Sequence, residues 1–246
     1  MRKVIHYCWF GTSKKSPKID DCIKSWKKFC PDYEITEWNE SNFDIHCCKY
    51  VEQAYDAKKW AFVSDYCRFW ILYNLGGIYM DTDVELLKPI DDLPDTFVGF
   101  ESESAVASGL IRGANAGDEI CKMMLDSYNN DTFVLDNGEL NFKTVCERET
   151  EILCGFGLIM NNKLQTIKDT VVFPSEYFNP NRYNDEKMEI TENTYAIHHY
   201  LSSWKDPLDQ KIMKYKVKYG RKKGICLFAI THPILTLKKI ITRGKK

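Results

Sequence analysis

An α/β fold is what this sequence predicts, and three observations predict it. The run KVIHYCWFG is apolar almost without interruption from Val4 to Phe10 and stops at Gly11, the pattern of a strand buried on both faces. In DDCIKSWKKF, Cys22, Ile23, Trp26 and Phe29 recur at helical spacing behind Asp20, which stands at a cap position. YEITEW, Tyr33 to Trp38, then alternates as a half-buried strand does. Strand, helix and strand in that order call for a sheet with crossover helices.

The remaining elements carry the same signals. A helical pattern runs from roughly Val51 to Leu75 and stops at Gly76 and Gly77, which terminate helices well because glycine accepts positive φ. IYM supplies a short inner strand, VELL resumes an extended pattern, and DTFVGFE, Asp95 to Glu101, is a further strand. DEICKMMLDSY, Asp118 to Tyr128, reads as a helix, and NTYAIHHYLSSW, Asn193 to Trp204, as a strand entering a loop. No internal repeat or low-complexity linker interrupts the chain. The one break in composition, near residue 210, divides it into a domain at 1–210 and a tail at 211–246.

Charge sharpens that division. Of the 34 Lys and Arg, twelve lie in 211–246, where there is no Asp or Glu; residues 1–210 therefore hold 22 basic against 35 acidic side chains, a net −13. An acidic body repels a phosphate backbone, so nucleic acid is not an expected partner. In the tail the clustered lysines flank an apolar stretch, Ile225 to Leu237. Thirteen residues that include His and Pro fall short of the roughly twenty a bilayer span requires. A basic amphipathic helix lying on an anionic membrane surface is the expectation, with packing on the acidic body as the alternative. The ten cysteines contain no C-x-x-C pair and are expected as reduced thiols in a cytosolic protein. The opening MRKVIHYCWFG lacks a signal-peptide core, so the glycosylation sequons at Asn39 and Asn130 carry no expectation of use.

At the end of the IYM strand come Asp81 and Asp83, one residue apart. A polar turn is one reading. A calcium loop is excluded because its sixth position, which requires glycine, is Leu86. The third reading is a carboxylate pair holding Mg²⁺ or Mn²⁺ against a diphosphate, an ion that takes one or two protein carboxylates and leaves its other positions to phosphate and water. Ligands of open α/β sheets bind beyond the carboxyl ends of strands, where IYMDTD delivers these groups. Upstream, Asp65 and Arg68 are neighbours at i, i+3 on a helix apolar over most of its circumference. Burial of such a pair demands more partners than the two offer each other, which leaves a structural ion pair and a ligand contact both open.

Three motifs in this order, IHYCWFG, AFVSDYCRFWILYNLGGIYMDTDVELL and YAIHHYLSSW, together resemble the DXD-containing sugar transferases of glycosyltransferase family 32 across residues 3–205. That family groups capsule and lipopolysaccharide enzymes with outer-chain-initiating mannosyltransferases, and is more distantly similar to the large glucosylating toxins. The resemblance implies a GT-A fold, the Rossmann-like fold of nucleotide-diphospho-sugar transferases, here with a basic C-terminal helical tail. It implies retaining, metal-dependent transfer from a nucleotide-sugar donor, a UDP-sugar first and GDP-mannose second, to a saccharide or lipid-linked acceptor of surface polysaccharide or glycolipid synthesis. A peripheral position on the cytoplasmic face of the membrane goes with that acceptor.

By the same resemblance Trp9 stacks on the donor base, Asp65 accepts from ribose or sugar hydroxyls, Arg68 meets the sugar or diphosphate, Asp81 touches ribose and sugar hydroxyls, and Asp83 binds the metal. His199 and Ser202 reach the metal or its waters, with His198 as the alternative to its neighbour, and the Trp204 indole N–H donates to the diphosphate. Asp65, Arg68, Asp81 and Trp204 are the catalytic set so implied. Glu101 is a candidate for a sugar or acceptor contact. CGFGLIMNN resembles the acceptor-side TGP segment of the family but departs from it at Cys154 and Phe156. Two other readings stand beside this one: a phosphoesterase or nucleotidyltransferase using the same aspartates, and a non-catalytic membrane-associated subunit of polysaccharide assembly.

Overall fold

The first strand, β1 (Val4–Cys8), is buried along its whole length and feeds two cores. Ile5 and Tyr7 pack with Trp26, whereas Cys8 joins Phe69 and Leu72 on the opposite side. A strand that is apolar on both faces needs cover on both. The computed structural model describes residues 2–180, 188–201, 208, 211, 212, 215, 219 and 221–237. The chain forms two units, residues 1–180 with 190–199 and residues 181–189 with 200–246.

In the first unit, β2 (Glu34–Trp38) and β3 (Gly77–Tyr79) flank β1, both parallel to it. Beyond them lie β5 (Phe97–Ser102), β6 (Ala105–Val106), β7 (Arg112–Ala114), β8 (Gln165–Ile167) and β9 (Thr170–Phe173). Among the described residues these make one eight-stranded mixed sheet in the order β2-β1-β3-β7-β5-β9-β8, with β6 paired to β5. A separate two-stranded ribbon joins β4 (Val84–Leu86) to β10 (Ala196–His198), antiparallel. The helix α1 (Pro17–Phe29) places Trp26 under one face of the sheet. On the other face sit α2 (Lys49–Asp56), α3 (Trp60–Leu75) and α4 (Glu119–Asp126), and α5 (Val145–Gly155) packs on β6 and α4.

The return from α3 to β3 explains the glycine pair. Gly76 N closes the helix on Leu72 O at 3.0 Å, and Gly76 and Gly77 have φ of 66° and 107°. A Cβ at Gly76 would stand 2.7 Å from Ala116 N, and one at Gly77 2.9 Å from Val4 O, so side chains are excluded by space as well as by φ. His6, 2% exposed, bridges the same corner. The Trp38 indole N–H can only donate, so His6 Nδ1 accepts from it at 3.2 Å and Nε2 donates to Gly76 O at 3.1 Å. Burial pushes the His6 pKa down to about 4 and holds the ring neutral.

Several boundaries differ from the sequence expectation. The expected helix over 51–75 is two, because Lys58 adopts φ 55° and the amide of Lys59 turns back to Ala54 O. The α1 helix starts at Pro17, with Ser16 at the cap, which leaves Asp20 in its first turn. The strands β6 to β9 and the helix α5 were not expected. In the second unit, α6 (Arg221–Thr231) carries the buried Phe228, whose ring stacks on His232 at 4.7 Å and meets Tyr215 edge-on at 5.3 Å. Ile225, Ile230, Ile234 and Leu237 are exposed. No helix among the described residues is long and apolar enough to cross a membrane.

Candidate active site

The β1 and β3 strands run parallel, and the residues at their carboxyl ends share one edge of the sheet: Trp9 after β1, and Asp81 and Asp83 after β3. The i, i+3 spacing on α3 sets Asp65 and Arg68 side by side, both buried, with Arg68 Nη2 2.9 Å from Asp65 Oδ1. The same Nη2 lies 3.2 Å from Asp81 Oδ1, which also accepts from Tyr79 OH at 3.1 Å. The Arg68 guanidinium sits 4.7 Å over the Tyr79 ring. Burial opposes charge on Arg68, but Asp81, Tyr79 and Asp65 outweigh it, so the guanidinium stays ionised. Burial raises Asp65 to about 6, against the opposing pull of Arg68.

The second oxygen of Asp81 faces the other way. Asp81 Oδ2 is 4.0 Å from His198 Nε2, and Asp83 Oδ1 is 3.1 Å from the same nitrogen. One donor atom each from Asp81, Asp83 and His198 converge within 4.8 Å of one another. Burial works against a charged His198, but Asp83 and then Asp81 overcome it and raise the pKa. Donors about 2.1 Å from a common Mg²⁺ or Mn²⁺ lie roughly 3 Å apart at right angles and about 4.2 Å apart when opposed, and the separations of His198 Nε2 from Asp83 and Asp81, 3.1 and 4.0 Å, fall in that range. Three carboxylates against one guanidinium leave a negative excess that a divalent cation would offset.

Gly109 closes the cluster from behind. Asp81 N donates to Gly109 O at 2.9 Å, and a Cβ on Gly109 would lie 2.2 Å from Asp81 Oδ2 and 3.0 Å from Arg68 Nη1. Any side chain there would displace the carboxylate.

Of the residues singled out from the sequence, Asp65, Arg68, Asp81 and Asp83 are brought together. His199, expected at the metal, is turned aside: its Nε2 bonds Glu85 Oε2 at 2.7 Å, and the neighbouring His198 faces the aspartates in its place. The cause is strand alternation at the end of β10, carried one residue further by the His199 amide bond to Asp83 O, which sends adjacent side chains to opposite sides. Trp9 is half-buried at the end of β1, its indole N–H donating to Ser13 O at 2.9 Å and its ring 5.4 Å from Lys15 Nζ. Ser202 and Trp204 lie outside the described residues. Sequence reasoning passed over Tyr79, Gly109 and Glu85. Tyr79 could have been found as the inward partner in IYMD; nothing in ASGLIRG distinguishes Gly109 from a turn glycine.

These features coincide with a family match. Residues 16–98 match the model described as glycosyltransferase sugar-binding region containing DXD motif, a span that includes Asp65, Arg68, Asp81 and Asp83. Over that third of its length the chain is similar to the sugar-binding region of DXD-containing glycosyltransferases. Among curated proteins, inositol phosphoceramide mannosyltransferase 3 of Schizosaccharomyces pombe (strain 972 / ATCC 24843) is 29% identical over 99 residues, 37% of this chain and 26% of that protein. The match thus spans about a quarter of the relative's length. Among solved structures, PaToxG glycosyltransferase superposes with a TM-score of 0.49 at 24% identity, covering 63% of this chain and 69% of its own. A glycosyltransferase involved in the glycosylation of the major capsid of PBCV-1 gives a TM-score of 0.49 at 15% identity, covering 86% and 98%.

Proposed function

We propose that the chain transfers a sugar from a nucleotide-diphosphate donor, with retention of configuration, using a divalent cation held by Asp81, Asp83 and His198. The observation that carries this reading is the convergence of those three donors beside a buried arginine at the carboxyl edge of parallel strands. A bound Mn²⁺ or Mg²⁺ would act as a Lewis acid toward the donor diphosphate. Arg68, charged and fixed by two carboxylates, presents its remaining N–H groups toward the oxygen that gains charge as the anomeric C–O bond breaks. Asp65 accepts from sugar hydroxyls, and Trp9 offers an indole face to the base. The proton of the acceptor hydroxyl passes to the departing phosphate oxygen on the same face of the sugar, so no protein nucleophile is consumed.

A UDP-sugar is the first donor to test. GDP-mannose is the second, with a saccharide or lipid-linked acceptor; the name of the relative, an inositol phosphoceramide mannosyltransferase, adds an inositol-bearing lipid as an acceptor class to test. Thermal-shift screening of both donors with and without Mn²⁺, followed by mass spectrometry of donor hydrolysis, tests the reading. One donor should raise the unfolding temperature only when Mn²⁺ is present, and Asp83→Ala should remove that increment while the protein stays folded. No donor binding under any metal condition would overturn it.

The basic tail supports attachment to an anionic membrane face, with surface polysaccharide or glycolipid as the product class. Exposed Ile225, Ile230, Ile234 and Leu237 among the lysines of 211–246 are the supporting features. Ile230→Asp with Ile234→Asp should abolish co-sedimentation with phosphatidylserine vesicles and leave donor hydrolysis intact. Unchanged co-sedimentation would detach the tail from this role.

A further inference from the structure

The β10 strand has three residues, and its sheet partner among the described residues is β4, with Ala196, Ile197 and His198 opposite Leu86, Glu85 and Val84. Side chains alternate along a strand, so His198 and His199 leave on opposite sides and a slip of one residue would exchange them. Three paired positions are a weak hold on a choice with that consequence, since short strands depend on outside contacts for their register.

Those contacts come from α1. Its residues grip the far edge of β4: Leu86 N donates to Ser25 Oγ at 2.9 Å, and the Trp26 indole N–H donates to Val84 O at 2.7 Å. From the first turn of the same helix, Lys18 Nζ reaches Glu85 Oε2 at 2.7 Å, and His199 Nε2 meets that oxygen at 2.7 Å. The backbone amide of His199 donates to Asp83 O at 3.0 Å. Lys18, Glu85 and His199 have side chains 41%, 33% and 21% exposed, so the chain of contacts is partly shielded from solvent. Glu85 supplies none of the donor atoms that converge at Asp81, Asp83 and His198.

We infer that Glu85 is a positioning residue for the cation site: by holding His199 against Lys18 it fixes the register of β10 and delivers the His198 imidazole to Asp83. The inference rests on the reading of that cluster as a divalent-cation site for sugar transfer. Outer partners of this kind change metal affinity without touching the ion, because they determine where the ligand ring stands.

The test uses the full chain, with Mn²⁺ alone as the probe in isothermal titration, and with the histidine ring resonances of the metal-free protein as a second readout. Glu85→Ala should weaken Mn²⁺ binding about tenfold and move the His198 ring signals. Glu85→Gln keeps an acceptor for His199 and should remain within about threefold of the native affinity, with His198 signals in place. Native affinity and unmoved signals in Glu85→Ala overturn the proposal, as does a Glu85→Gln variant as impaired as Glu85→Ala. Should Glu85→Ala not fold, Lys18→Met reads the same chain: a loss of about threefold is expected, and native affinity overturns it. If the native protein binds no Mn²⁺, the cation reading of the site fails, and the ring signals of the metal-free variants still decide whether Glu85 positions His198.

Discussion

The two halves of the site are held by different amounts of protein. Asp65, Arg68, Tyr79 and Asp81 belong to α3 and to the strand edge of the eight-stranded sheet, and Asp65, Arg68 and Tyr79 are at most 8% exposed. Part of their charge is answered within the protein, since one guanidinium lies between two carboxylates and stands over the phenol ring. Asp83 leads into β4 and His198 ends β10, so both depend on a ribbon of two three-residue strands, and they meet each other at 3.1 Å. The first half is built before any ligand arrives; the second has a geometry that a cation would finish.

Removing Arg68 breaks that contrast most sharply. Arg68→Met takes the nearest compensating charge from buried Asp65, which keeps only the weaker pull of Arg148, and from part-exposed Asp81, which costs about 3 kcal/mol of unfolding free energy. Adding Asp65→Asn in the same chain should recover part of the loss. On the ribbon half, Asp83→Asn should change stability by less than about 1 kcal/mol, because it relieves repulsion as well as removing a contact. Urea unfolding of the four proteins measures all three values, and similar losses at Arg68 and Asp83 would erase the distinction.

Gly109→Ala comes next. Its methyl group would need the space of Asp81 Oδ2, 2.2 Å away, so either the carboxylate or the backbone must shift. Overpacking of this kind costs about 1–3 kcal/mol. Displacement of Asp81 by about 1 Å should lower kcat/KM for donor hydrolysis about a hundredfold. A variant with native kinetics would show that Asp81 is free to move, and that the prebuilt half is less rigid than its contacts suggest.

The rigid half was also the legible one. Asp65 and Arg68 could be placed on one helix face by spacing alone, and the glycine pair marked where the helix must turn into the strand that ends at Asp81. Both signals are local and support the α/β class; the grouping of Asp65, Arg68, Asp81 and Asp83 into one site is what the family resemblance implies. The strands β7 and β8, three residues each, and β6, two residues, are shorter than the run needed to reveal an alternating period. The break between α2 and α3 escaped notice because apolar residues continue through it, and the turn at Lys58 uses a positive φ without a glycine to announce it. The choice of His198 over His199 depends on the register of β10, a fact of pairing that neither residue carries by itself. Thr144 and Glu147 did write a capping box for α5 into the sequence, and it went unread.

The corner that joins β1 to the α3–β3 turn adds a dependence on pH to the rigid half. Burial depresses His6 to about 4, below the 6.5 of an unfolded histidine. The unfolded chain therefore binds the extra proton first as pH falls. The contribution of His6 is complete above about 6.5 and is lost progressively as pH drops through 4, on the order of 3 kcal/mol across the window. The unfolding free energy of the native protein should fall more steeply between pH 7 and pH 4.5 than that of His6→Gln. Equal slopes would mean that folding does not depress the His6 pKa, and that Nδ1 gives up the Trp38 N–H and takes a proton at no net cost.

The smallest effect belongs to the ribbon. Ser25→Ala removes the acceptor of the Leu86 amide on the outer edge of β4 while the β10 pairing, the Trp26 bond and the Lys18–Glu85 contact remain. An amide left without a partner in a partly buried place costs about 1 kcal/mol. The more telling measure is Mn²⁺ affinity, which should weaken by no more than about threefold, since His199 is still held. A loss approaching the tenfold expected for Glu85→Ala would mean that the strand's whole outer edge, and not its tether to His199, sets the position of His198. Native affinity together with the stability cost would place the amide bond in the fold alone and leave the tether as the element that prepares the ribbon half for its cation.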